Sequence, residues 1–280
     1  MKKQYRLAAI GGAGMIGHAV LSGVLQQKLL APSDIIVTAR HQRTLDKVTD
    51  LKVDTSTDNC HAVQNAEALL LAVHPNQALD VIRGCQSFLT KGQLLISVVT
   101  GIRVSELQEA AGNNVRVIRT MPNIAAIVGA SVTSITAGPR VTQDDLDFAS
   151  ALFGAVGTTH ILDESHLNAC TGLAGCGPAF AFKVIESLAS GGIKMGLPRD
   201  VSRTMAAGVL LGAAKLVLET GRHPAALKDD VTTPGGCTID GLAMLEERGM
   251  PSAIISAVEA STRKAALLDR KAQDEKQGNS

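Results

Sequence analysis

The first 160 residues alternate between short, nearly unbroken apolar runs and amphipathic stretches. Leu7-Ala8-Ala9-Ile10, Ile35-Ile36-Val37-Thr38, Ala68-Leu69-Leu70-Leu71-Ala72-Val73, Leu94-Leu95-Ile96-Ser97-Val98-Val99 and Val115-Arg116-Val117-Ile118-Arg119-Thr120 are the clearest runs. Runs this short and this apolar predict strands covered on both faces, as in a parallel sheet. Two further strands are expected over 131–136 and 158–162, with helices from the first turn to about Lys28 and over 144–153. Three strands end in turn residues: His74-Pro75-Asn76, Thr100-Gly101 and Met121-Pro122-Asn123. In a doubly wound sheet such ends share the edge where ligands bind.

After about Asp163 the strand pattern stops. A helix is expected from Gly177-Pro178 to about Met195, stopped by Gly196-Leu197-Pro198. The next, over 199–219, is apolar nearly all round at Ala206-Ala207-Gly208-Val209-Leu210-Leu211-Gly212-Ala213-Ala214 and must be buried on all sides. The remaining roughly 115 residues are too few to cover it, so a second copy of the chain is expected to do so. A last helix is expected over 252–268. The predicted organisation is an α/β Rossmann-type domain with a mostly parallel sheet (1–163), an all-α substrate and dimerisation domain (164–270), and a disordered charged tail (271–280).

The first strand runs straight into Gly12-Ala13-Gly14-Met15-Ile16-Gly17, which opens a helix. This is G-x-G-x-x-G in its dinucleotide-binding context: Gly12 for the tight turn, Gly14 for close approach of a pyrophosphate, Gly17 for helix–strand packing. A chain that prefers NAD places an acid after the second strand to bond the ribose 2′-hydroxyl. Here Thr38-Ala39-Arg40-His41-Gln42-Arg43 carries arginines instead, which suit a 2′-phosphate and predict NADPH over NADH. Gly12, Ala13, Gly14, Met15, Ile16, Arg40, Ala72, Val73, His74, Pro75, Met121, Pro122 and Asn123 are the expected cofactor-binding residues.

A second anion site is expected at Thr232-Thr233-Pro234-Gly235-Gly236-Cys237-Thr238. Thr233 reads as a helix N-cap with Pro234 at the first helical position, and the two glycines leave backbone N–H groups unshielded. Those donors and the positive end of the helix favour a carboxylate or phosphate. Gly175-Cys176-Gly177-Pro178 repeats the device, with Gly177 as the expected cap.

Composition removes several classes. Lys plus Arg (27) nearly balance Asp plus Glu (26), and aromatics are 2% of the chain, so neither a basic field nor a stacking platform for nucleic acid is present. No apolar run reads as a bilayer span, and no signal-peptide pattern precedes the first strand. Five cysteines without a C-x-x-C pair suit reduced thiols in the cytoplasm, and the seven histidines form no metal-binding pair.

With both halves in view, the chain resembles the pyrroline-5-carboxylate reductase family from about Leu7 to Leu268. The most specific stretches are Gly175-Cys176-Gly177-Pro178-Ala179-Phe180, Gly196-Leu197-Pro198-Arg199, His223-Pro224, Leu227-Lys228-Asp229 and Thr232 to Ile239, with Met121-Pro122-Asn123 a further landmark beside the nicotinamide. The resemblance implies reduction of a cyclic imino acid to L-proline by NAD(P)H. It also implies helical domains that interleave in a homodimer, and a decamer of such dimers. The expected substrate-binding residues are Thr233, Gly235, Gly236, Cys237, Thr238 and Cys176, with Thr238 the catalytic hydroxyl near the ring nitrogen. The chain departs from the family pattern at Ala174 and Cys176 (usually Ser), Phe180 (Tyr), Thr233 (Ser), His74 (Lys) and Ile124-Ala125 (Thr-Pro). A related cyclic imine is therefore an alternative substrate. A β-hydroxyacid-type dehydrogenase would need a base such as Lys183, Lys194, Lys215 or Lys228, and a non-catalytic NADPH-binding sensor would need none.

Overall fold

The computed structural model describes residues 4–277, with side chains over 4–268. Two compact units divide the chain. The first runs to Gly175 and takes in the chain from Ser261 onward; the second is Cys176–Ala260.

In chain order the first unit holds β1 (Tyr5–Ile10), α1 (Met15–Gln26), β2 (Ile35–Thr38), α2 (Gln42–Leu45), β3 (Asp54–Ser56), α3 (Asn59–Asn65), β4 (Ala66–Leu71) and α4 (Pro75–Gly84). It continues through β5 (Leu94–Ser97), α5 (Val104–Ala111), β6 (Arg116–Met121), β7 (Ser131–Ala137), α6 (Gln143–Gly154), β8 (Gly157–Ile161) and α7 (Leu167–Cys170). The strands form one sheet in the order β3-β2-β1-β4-β5-β6-β7-β8. The first six are parallel, and β7 runs antiparallel to β6 because the link from Met121 to Ser131 is too short for a helical crossover. β8 follows α6 and returns parallel to β7.

Alternate side chains of each strand feed two cores. Leu7 and Ala9 of β1 meet Val20, Leu21 and Val24 of α1 and Leu152 and Phe153 of α6 on one face. Ala8 and Ile10 meet Val63 of α3, Ile82 of α4 and Leu107 of α5 on the other. Burial on both faces is the reason the central strands read as continuous apolar runs. β1 pairs with β2 on one side and β4 on the other, Leu7 opposite Ile35 and Ala68, so the strand order reverses beside β1. That reversal opens the ligand crevice of such sheets.

The compact units part at Gly175, beyond the domain boundary expected at residue 163. Leu167 is buried in the first unit, and α7 with the π-turn Thr171–Gly175 stays with the sheet. The second unit comprises α8 (Gly177–Lys194), α9 (Arg199–Thr220), α10 (Pro224–Asp230), α11 (Cys237–Glu247) and the start of α12 (Met250–Gln277). α8 and α9 form a hairpin about Gly196-Leu197-Pro198, sealed by the buried Ser202 hydroxyl donating to the Ala189 carbonyl at 2.9 Å. The tail expected at 271–280 is helical as far as Gln277, and residues 278–280 lie outside the described residues.

α9 is not covered on all sides within one chain. Only Ser202 and Ala206 along it are buried, while Val209, Leu211, Leu216 and Leu218 are exposed. An 18-residue window of α9 has a mean hydropathy of 1.5, so by length and composition alone this helix is apolar enough to cross a bilayer, a test that the core helix of a soluble protein also passes. Its apolar circumference therefore needs cover that the chain itself does not supply.

Candidate active site

The glycine loop after β1 is held by its own backbone. Gly11 N–H donates to the Thr38 carbonyl (2.9 Å), Gly12 N–H to Ala9 (3.2 Å), and Gly14 N–H to Gly11 (3.1 Å). The left-handed residue is Gly11, at φ +72°, one position before the glycine expected to make the turn. Gly12 is required for contact instead, since a Cβ there would sit 2.5 Å from the Ala9 Cβ. Gly17 would press a Cβ to within 2.6 Å of the Gly12 carbonyl oxygen, so it sets the helix–loop approach as expected. Gly14 differs from both. It is exposed, and its nearest neighbour to an added Cβ is 3.5 Å away. Protein packing therefore does not demand glycine at position 14.

Gly14 is also the N-cap of α1, with no side-chain cap and no acid in the first turn. The leading N–H groups of α1, at Met15 and Ile16, thus lie open with the positive helix end behind them, which suits a pyrophosphate. Ala13 is buried beneath the loop and Met15 is exposed beside it. A cleft of about 850 Å³ borders this corner, lined by Gly14, Met15 and His18 of α1 and by Ile127 and Val128 opposite.

The loop after β4 lies against the first. Ala72 N–H donates to the Ile10 carbonyl at 2.8 Å, and a Cβ at Gly11 would meet Val73 Cγ1 at 2.6 Å. His74 and Pro75 follow, both exposed, at the start of α4, with His74 Nδ1 2.9 Å from Asn76 Oδ1. Arg40 and Arg43 are exposed beyond β2 and form no ion pair among the described residues. Together these places bring Gly12–Ile16, Arg40 and Ala72–Pro75 to one edge of the sheet.

At the end of β6 the expected cofactor residues are partly held by the protein itself. Pro122 and Asn123 are buried, and the Asn123 amide is committed to protein. Its Oδ1 accepts from Ala125 N–H at 3.1 Å, and its Nδ2 donates to the Ala174 carbonyl at 3.0 Å in the π-turn. Asn123 thus braces the turn, while Met121, the last residue of β6, is half-buried and accepts from the Thr100 hydroxyl at 3.5 Å.

In the second unit the 232–238 stretch folds three residues out of the expected phase. Thr233-Pro234-Gly235-Gly236 is a β-turn closed by Gly236 N–H to the Thr233 carbonyl at 3.0 Å, with Gly235 at φ +67°. Proline second and a left-handed glycine third are the marks of a type II turn. The helix begins afterwards: Gly236 is the N-cap of α11, without a side-chain cap, and Cys237 and Thr238 are its first residues. Thr233 and Pro234 are therefore turn residues, not cap and first turn. The open donors belong to Cys237, Thr238 and Ile239, with the half-buried Thr238 hydroxyl beside them. Asp240 is the one acid of that first turn.

Gly175-Cys176-Gly177-Pro178 does open a helix, but one residue earlier than expected, with Gly177 the first residue of α8 and not its cap. Cys176, not Gly177, is the residue before α8; it is itself helical (φ −86°, ψ −23°) and prolongs the π-turn. The π-turn itself, a feature frequent at functional sites, carried no signal in the sequence. Among the described residues no group of His, Cys, Asp or Glu could hold a metal ion.

A glycine loop at the switch point of a doubly wound sheet, followed by a separate helical unit, defines a nicotinamide-dinucleotide oxidoreductase. Residues 6–101 match the family model described as NADP oxidoreductase, coenzyme F420-dependent, and residues 164–268 match that of pyrroline-5-carboxylate reductase dimerisation. The chain is 39% identical over 261 residues to pyrroline-5-carboxylate reductase of Methanosarcina acetivorans, covering 93% of this chain and 97% of that protein. It is 40% identical to the Synechocystis sp. enzyme, covering 95% and 99%. A solved pyrroline-5-carboxylate reductase from Coxiella burnetii superposes with a TM-score of 0.90 at 29% identity, covering 95% and 98%. The chain belongs to the pyrroline-5-carboxylate reductase family. Its C-terminal helices are accordingly an oligomerisation module, which accounts for the exposed apolar surface of α9.

Proposed function

We propose that this protein reduces L-1-pyrroline-5-carboxylate to L-proline with NADPH. The observation that carries the reading is a pair of helix N-termini, α1 at Gly14 and α11 at Gly236, each starting on glycine without a side-chain cap. One suits the cofactor's pyrophosphate and the other the substrate's carboxylate. Bound NADPH supplies the hydride. The N–H groups of Cys237, Thr238 and Ile239 hold the carboxylate, and the Thr238 hydroxyl fixes the ring nitrogen side of the imine. Gly235 and Gly236 shape the turn that presents those donors. Orientation of this kind contributes up to about 7–11 kcal/mol in well-aligned systems. A protonated imine is already electrophilic, so no strong acid is required of the chain.

Arg40 and Arg43, unpaired with any described residue, hold the 2′-phosphate of NADPH, while Ala72, Val73, His74 and Pro75 line its adenosine side and Met121 its nicotinamide side. Cys176 lies in the substrate turn as a small filler. The active form is a homodimer built through the C-terminal helices, with dimers assembling further to the decamer, in the cytoplasm, where free cysteines are the resting state.

Oxidation of NADPH on addition of pyrroline-5-carboxylate, compared with six-membered and unsubstituted cyclic imines and with 2- and 3-hydroxy acids, tests the reading. Turnover confined to hydroxy acids, or NADPH binding with no turnover of any imine, would overturn it. Sedimentation of the same sample reads the assembly.

A further inference from the structure

The cysteines are unpaired by sequence spacing, yet the fold brings two of them together. Cys60 lies in the first turn of α3 and Cys85 directly after α4, and their Sγ atoms are 3.1 Å apart. Cys85 is buried, at 3% exposure, within the core on the α3–α4–α5 face of the sheet. Cys60 is half-buried at the edge of that core, its Sγ also 3.6 Å from the Gly84 carbonyl. Burial, with the Cys60 sulfur beside it, pushes the Cys85 thiol up to about 12. Cys85 therefore remains protonated, and the more open Cys60 is the sulfur that meets a reagent from solvent.

We propose that Cys60 and Cys85 are an oxidisable pair, converted by a peroxide to a disulfide that staples the start of α3 to the end of α4. The Cys60 sulfur attacks one peroxide oxygen, breaking the O–O bond and giving Cys60 sulfenic acid with water or an alcohol as the reduced product. The Cys85 sulfur then attacks the Cys60 sulfur and expels hydroxide, which takes the Cys85 proton and leaves as water. Two thiols are oxidised by two electrons in total, and one peroxide is reduced. A dithiol reverses the change by exchange.

The ring so closed spans Cys60 to Cys85 and carries β4 and the Ala72-Val73-His74-Pro75 loop. Closing a loop of this length restricts the unfolded chain and raises stability. The staple therefore hardens the part of the sheet that presents that loop, at the far end of α4 from it.

The test needs only the full-length protein. Hydrogen peroxide is added, free thiols are alkylated, and the protein is digested with trypsin. Cleavage after Lys52, Arg83 and Lys91 puts Cys60 and Cys85 on separate peptides, 53–83 and 84–91. The expected result is a peptide pair joined by a disulfide that dithiothreitol separates, with Tm raised by about 5–10 °C in the oxidised sample. In Cys60→Ser the crosslink and the Tm rise both disappear, and Cys85 is recovered alkylated. Recovery of Cys60 as sulfinic acid, or of both cysteines alkylated after peroxide treatment, with no linked pair, overturns the proposal. The wild-type digest decides this even where a Cys85 variant fails to fold.

Discussion

Substituting Gly14 by Val separates the glycine a ligand requires from the glycines the fold requires. Gly14 sits at φ −74° and ψ 168°, a conformation open to any residue, and an added Cβ meets nothing closer than the Gly11 carbonyl oxygen at 3.5 Å. Losing glycine at an N-cap costs under about 1 kcal/mol, and the stiffer unfolded chain offsets about 0.4–1 kcal/mol of that. Tm should therefore move by no more than about 2–4 °C. A branched side chain at the N-cap, however, would take up space beside the open N–H groups of Met15 and Ile16. If these donate to the pyrophosphate, two charge-assisted bonds worth about 1.5–3 kcal/mol each are lost. The dissociation constant for NADPH should then rise by at least ~100-fold. Gly12→Ala and Gly17→Ala behave oppositely. Their Cβ atoms would lie 2.5 Å from the Ala9 Cβ and 2.6 Å from the Gly12 carbonyl oxygen, so they lower Tm first. Fluorescence titration with NADPH alongside thermal unfolding reads both effects. Wild-type NADPH affinity in a well-folded Gly14→Val protein would refute the assignment of the loop.

Thr238→Ala should lower kcat/KM for the imino acid by about 10–100-fold, as expected for one hydrogen bond to a charged group, with NADPH affinity unchanged; an unaltered kcat/KM removes Thr238 from the site. Arg40→Ala combined with Arg43→Ala should weaken NADPH by about tenfold and leave NADH untouched, so a parallel loss for both cofactors would place the arginines elsewhere. Asp240→Asn removes the one acid from the first turn of α11 and should lower the KM for the anionic substrate about 2–5-fold, the size of a charge–dipole term at an exposed helix end. Raised salt should shrink that difference, and a higher KM in the variant would show that no anion binds there.

The sheet was legible because its central strands are apolar on both faces. Leu69, Leu70 and Leu71 are all fully buried, and no surface strand could read that way. β3 was missed because Asp54-Thr55-Ser56 is a short polar edge strand, paired only with β2, and carries no apolar signal. The helix start at Gly236 was misplaced by three residues because Thr-Pro reads equally as cap plus first turn and as the opening of a type II turn. Only the left-handed Gly235 distinguishes them, and glycine permits either. Asn123, expected at the cofactor, also has its side-chain amide bonded to Ala125 and Ala174. That bond crosses 51 positions, and sequence spacing does not report contacts of that range. The approach of Cys60 to Cys85 is hidden for the same reason.

The caps show why the site tolerates the departures this chain makes from its family. α3 is capped by Asp58, which accepts from Cys60 and His61 N–H, α6 by Thr142, and α10 by His223. Each side-chain cap contributes about 1 kcal/mol and uses up a donor that the helix leaves open. α1 and α11 forgo that stabilisation by starting on glycine, and in the function proposed above an arriving anion supplies it. On that proposal the ligand is the cap, and its binding would order the first turn. Because the proposed donors are backbone N–H groups, the departures from the family pattern expected at Ala174, Cys176 and Phe180 would remove side-chain hydroxyls without touching the proposed anion contacts. The quantity those departures should affect is discrimination among ring sizes and substituents, with capture of a carboxylate beside a C=N bond retained, so kcat/KM ratios across a panel of cyclic imino acids are the measurement that checks it.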